Sequence, residues 1–84
     1  MKIRNSLEWS KVATELYRQL HEVGYNQDLM RMIQNINHMV AELSKKEVEA
    51  RRIRKPEYNQ AFLDEINKAI DHVEKLLLVA KLMS

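Results

Sequence analysis

Residues 56–83, PEYNQAFLDEINKAIDHVEKLLLVAKLM, carry the strongest pattern in the chain. Phe62, Ile66, Ala69, Val73, Leu76, Ala80 and Met83 recur in alternating steps of four and three, which a helix gathers onto one side. Leu63, Ile70 and Leu77 flank that seam at strict intervals of seven. Pro56 suits the first turn of a helix, where its missing N–H leaves no hydrogen bond unmade. It also disfavours helix in the residue before it. The spacing predicts a helix over 56–83 and the end of another just ahead of it.

Moving toward the N-terminus, Leu29, Ile33, Ile36, Val40 and Leu43 show the same alternation, widened by Met30, Met32 and Met39. Asn26 is placed to cap this second helix, predicted over 27–55. Past Leu43 the seam meets Glu47, Ala50 and Arg54 and becomes less apolar. Ser44 with Glu47 could form a capping box there. The residues from Lys45 to Arg54 are nevertheless good to moderate helix formers, so one long helix is expected, with Ser44 the point at which it could bend.

A third amphipathic stretch comes first in the chain. Trp9, Val12, Ala13, Leu16, Leu20 and Val23 share one face of a helix predicted over 6–23. Asn5 and Glu8 have capping-box spacing. Gly24, the only glycine, marks the stop, and Tyr25 behind it is expected to fold back onto Leu20.

The short connection around Pro56 makes the two long helices an antiparallel hairpin. The expected architecture is all-α: a short first helix packed on a long antiparallel helical hairpin, one domain over 1–84. At about 1.5 Å per residue the hairpin arms run roughly 40 Å and the first helix roughly 27 Å. The first helix is therefore expected to cover the inner part of the hairpin and to leave the tip, Ser44 through Ile66, uncovered.

Composition narrows the function classes. The chain has no cysteine, so a disulfide framework and a thiolate metal site are both excluded. Its longest apolar run, Leu76 to Ala80, is far too short to span a bilayer. Met1-Lys2-Ile3-Arg4 lacks the apolar stretch of a signal peptide. The expectation is a cytoplasmic protein with no membrane partner. One glycine cannot build a phosphate loop. His21, His38 and His72 lack the paired spacing of a helical metal site. Asp64–Lys68 and Asp71–Lys75 read as i,i+4 pairs on a solvated face, and His38–Glu42 as another surface pair. No enzyme, no metal, no cofactor and no small-molecule substrate are expected. The methionines read as core filling rather than as an adaptable binding surface.

Charge is unevenly spread. From Ser44 to Tyr58 lie six basic and three acidic residues, giving +3 within a chain whose formal net charge is +2. At about 100° per residue, Lys45, Arg52 and Lys55 fall opposite the seam with Arg51 beside them. Val48 sits among them, where solvent is expected. Across the tip, Tyr58, Phe62, Leu63 and Ile66 form an apolar group that two helices alone would bury poorly.

Such a stripe can be an ordinary solvated face. Arginine richness favours recognition of carboxylates or phosphates, because the planar guanidinium suits both. The interleaved Glu47 and Glu49 weigh against nucleic acid. The reading is a small non-enzymatic regulatory or adaptor protein, binding a protein partner through Lys45, Arg51, Arg52, Lys55, Tyr58 and Phe62. The alternative is a protein that binds the backbone of RNA or DNA along the basic stripe. A homodimer, two hairpin tips forming a four-helix arrangement, would cover the apolar group.

Overall fold

The computed structural model describes residues 1–54 and 59–83. Among the described residues the chain forms a 3-10 turn over Ser6–Glu8 and three α-helices: α1 (Trp9–Val23), α2 (Gln27–Ile53) and α3 (Gln60–Met83). The expected starts and stops at Lys55 and Pro56 lie outside the described residues, as do Glu57, Tyr58 and Ser84.

The helix ends follow local chemistry, with two corrections. Asn26 caps α2 as expected: its Oδ1 accepts from the Leu29 N–H at 3.1 Å. Asn5 caps the 3-10 turn, accepting from the Leu7 N–H at 3.0 Å. Its reciprocal partner differs from the expected capping box, because Glu8 accepts from the Arg4 N–H at 2.7 Å. The Glu8 bond thus falls one residue before the Asn5 cap. Gly24 ends α1 at positive φ (93°), a conformation that favours glycine, but its ψ of 148° lies outside the left-handed helical closure expected. Tyr25 is therefore carried away from Leu20 and stands 74% exposed.

α2 runs without a break through Ser44. Leu43 is fully buried beside it. A helix buried on one side over this length gains more from continuous packing than from a second cap. The helix ends at Ile53, where Arg54 takes the left-handed conformation (φ 55°) and donates its N–H to Ala50 O.

α2 and α3 share the largest interface and α1 lies against both, giving a body of 48 × 18 × 15 Å. Ile33, Ile36, Leu43, Leu16, Ile66, Ile70, Val73 and Leu77 are its fully buried centre. On α3 the buried line is Ile66, Ile70, Val73 and Leu77, midway between the predicted seam and its flanking residues. Phe62, Leu63, Ala69 and Leu76 pack half-buried on either side of it. The reason is geometric: α3 touches α1 and α2 together, so the line facing between them is the driest. Met30, Met32 and Met39 are half-buried against the same core, as core filling requires.

The expected bare tip is corrected by residues 1–8. Ile3 is fully buried. Its N–H donates to Asn67 Oδ1 at 2.8 Å, and Asn67 Nδ2 donates to Ile3 O at 2.9 Å. The Met1 amine lies 2.6 Å from Glu74. From there the chain passes Asn67 and reaches Glu47, where Ser6 is bound, before α1 turns back. An extended strand advances about 3.3 Å per residue, over twice a helix, so a few residues carry the cover past Ser44.

Candidate partner-binding end

The end of α2 and residues 4–7 together make a cleft of about 660 Å³. The cleft wall from α2 carries Ser44, Glu47, Ala50 and Arg51, spaced by three and four so that one side of the helix presents them. Arg54 enters from the left-handed turn and Asn59 from the start of the next segment. Arg4, Asn5, Ser6 and Leu7 close the other side. Leu7 is 86% exposed, an aliphatic side chain standing in solvent at the rim.

Two contacts hold the frame. Glu47 accepts from the Ser6 N–H at 2.8 Å and from the Ser6 hydroxyl at 2.5 Å. Arg4 pairs with Glu8 at 3.0 Å. The Arg4 backbone N–H and then its guanidinium hold the Glu8 carboxyl below its ordinary pKa. Arg4 and Glu47 are thus occupied. Among the described residues, Arg51 and Arg54 have no carboxylate within ion-pair distance.

The residues expected to act together are distributed over different surfaces. Arg51 lines the cleft. Arg52 is exposed and outside it. Lys45 is exposed and lies 3.6 Å from Glu42, an ordinary surface pair. Phe62 is half-buried against the core, with Lys46 Nζ 5.4 Å from its ring centroid. That cation covers the ring with its own chain. Lys55 and Tyr58 lie outside the described residues. Val48 is exposed, as its place in the basic stripe implied.

The apolar group expected at the tip is smaller than the sequence implied. Ile66 is fully buried, and Phe62 and Leu63 are half-buried. The large exposed apolar side chains instead include Leu78, Val79, Leu82 and Met83 at the opposite end, on the last two turns of α3. Of the residues lining the cleft, the sequence reading named only Arg51 as partner-binding; it missed Arg54 and the whole of the opposite wall, Arg4 to Leu7. Leu7 beside the apolar Ile3, in a stretch otherwise polar and basic, was the available signal. Among the described residues no three His, Asp or Glu side chains converge to hold a metal ion. None of the helices described is long and apolar enough to cross a membrane.

The fold defines a class, a helical hairpin braced by a shorter helix and an N-terminal strap. Comparison with protein-family models, with curated proteins and with solved structures finds no match to this chain.

Proposed function

We propose that this is a small non-enzymatic regulatory or adaptor protein of the cytoplasm, acting by docking an acidic protein partner on its basic end. The observation that carries the reading is the pair Arg51 and Arg54. Both have no counter-charge among the described residues and, unlike the equally unpaired Lys2, Lys11, Arg31 and Arg52, both line a cleft. Unpaired arginines at the rim of a concavity beside an exposed aliphatic group are the usual ingredients of an interface anchor. Arg52 and Lys45 would add attraction at longer range, raising the rate of encounter more than the affinity.

Nucleic acid is the less supported partner. A phosphate backbone following α2 would pass Glu42, Glu47 and Glu49 as well as the arginines, and repulsion from three carboxylates opposes counterion-driven binding. Affinity capture from cells tests the proposal, using the wild type and an Arg51→Glu/Arg52→Glu variant, each with and without nuclease. The expected result is a protein that the wild type retains through nuclease treatment and the variant loses. Capture abolished by nuclease would overturn the protein-partner reading.

A further inference from the structure

We infer that the cleft between residues 4–7 and the end of α2 takes an extended acidic peptide segment, its carboxylates on Arg51 and Arg54 and an aliphatic side chain against Leu7. The inference deepens the proposed function and rests on its reading of the basic end. Four observations converge on it.

Size comes first. A concavity of about 660 Å³ falls within the range of ligand sites, about 300–1,000 Å³. It is large enough for a short stretch of chain.

Charge comes second. Among the described residues the cleft holds three guanidinium groups and one carboxylate. Arg4 is matched by Glu8, and both Glu47 oxygens accept from Ser6. Arg51 and Arg54 remain as forked donors able to take a carboxylate each. The local excess is modest and mixed with a retained acid, which suits separate carboxylates on a peptide better than a continuous phosphate chain.

The third observation is Leu7. It stands 86% exposed beside cations, where a phosphate backbone would leave it unused. A peptide that alternates acidic and aliphatic side chains uses both surfaces at once.

The fourth is the backbone at Arg54, the one non-glycine residue with positive φ among the described residues. A glycine would hold this turn with less strain. Keeping arginine there places a guanidinium on the cleft, and strained residues of this kind gather at binding sites. The Ser6–Glu47 contacts fix the opposite wall beforehand, which lowers the ordering cost of binding.

The test is fluorescence anisotropy on the full chain with a fluorescein-labelled peptide, Glu-Leu-Glu-Asp-Leu-Glu, against the same peptide with Gln and Asn in place of its acids. The variants are Arg51→Gln, Arg54→Gln, Leu7→Ser and, outside the cleft, Arg52→Gln and Lys45→Gln, each checked for helicity by circular dichroism. Expected is binding of the acidic peptide only, weakened about tenfold by Arg51→Gln or Arg54→Gln. Leu7→Ser is expected to weaken it less, and Arg52→Gln by no more than about twofold. Arg54→Gly, which relieves the turn, guards against a folding artefact and should weaken binding like Arg54→Gln. If Arg52→Gln and Lys45→Gln weaken binding while Arg51→Gln and Arg54→Gln do not, the cleft assignment falls and the basic-end reading survives. If the wild type ignores the acidic peptide but binds a labelled single-stranded oligonucleotide, both fall. If it binds neither probe, the peptide-docking assignment is overturned while the capture experiment still decides the broader reading.

Discussion

Ser6 gives both its backbone N–H and its hydroxyl to one carboxylate, Glu47, across 41 residues of sequence. This bidentate contact ties the entry of the N-terminal strap to α2 one turn before Ala50 and Arg51. It turns what would be a frayed end into a wall of the cleft. Charge-assisted hydrogen bonds of this kind are about twice as strong as neutral ones, and partial burial at Glu47 limits competition from water.

Replacing Glu47 with Gln keeps one acceptor and loses the charge, so unfolding free energy should fall by about 1–2 kcal/mol. Ser6→Ala removes the hydroxyl bond alone and should cost about 1 kcal/mol. Because the two residues share one interaction, the double variant should be less destabilised than the sum, with a coupling of at least about 0.5 kcal/mol. Urea unfolding of the four proteins measures this. Strict additivity would show that the Ser6 hydroxyl and the Glu47 carboxylate are not energetically coupled.

Ile3 anchors the other end of the strap. It is fully buried, and its backbone is held on both sides by the Asn67 amide. Ile3→Ala should cost about 2–5 kcal/mol, the range for a large side chain removed from a core. Asn67→Ala leaves the Ile3 N–H and C=O without their partner, a loss of about 1–3 kcal/mol for each group that water fails to reach. Both variants should also release the strap selectively, read as faster amide exchange at Ile3 and Ser6 than in the middle of α2. Unchanged exchange at those two amides would contradict the strap's role.

The contrast between these contacts and the helices explains what was readable from sequence. The seam Leu29, Ile33, Ile36, Val40 and Leu43 is a local signal, because three- and four-residue spacing alone decides which side is apolar. The Asn26 cap is local in the same way. Ile3 against Asn67 is a contact between one residue of an extended segment and a helix 64 positions away, and no periodicity announces it. Arg51 and Arg52 show the consequence at the site. Helical spacing sends both roughly outward, but they lie about 100° apart. Which of them meets a second wall depends on where residues 4–7 pass. Phe62 shows the same dependence on a distant neighbour: Lys46, seven residues beyond Met39 on the same side of α2, reaches over a ring for which the sequence indicated no cover.

Acid should weaken α1 in a specific window. The Arg18 guanidinium, assisted by Gln19, binds the Glu15 carboxylate and lowers its pKa from 4.5 to about 2. A carboxyl whose pKa is lower folded than unfolded contributes stability that is complete above the unfolded value. That contribution is lost as pH falls through the folded value. The wild type should therefore lose stability from pH 4.5 down to about 2. Glu15→Gln should start less stable at neutral pH, and its deficit should shrink across that window. The difference will be small, because both side chains face solvent and salt screens them. Thermal melts at low ionic strength over this range measure it, and a deficit that grows with acid would refute the assignment.

Arg54 separates stability from binding. Its left-handed backbone (φ 55°) disfavours an L side chain by roughly 1–2 kcal/mol. Arg54→Gly relieves that strain, partly offset by the glycine's greater freedom in the unfolded chain, about 0.4–1 kcal/mol. The variant should be as stable as the wild type or more stable by up to about 1 kcal/mol. Few surface substitutions to glycine behave this way; in the middle of α2 the same change should cost about 1 kcal/mol. The removed guanidinium borders the cleft, so the acidic peptide should bind more weakly to this equally or more stable protein. Chemical denaturation together with peptide titration of the same preparation checks both halves. A variant that is destabilised yet binds normally would place the value of Arg54 in the turn and not in the cleft.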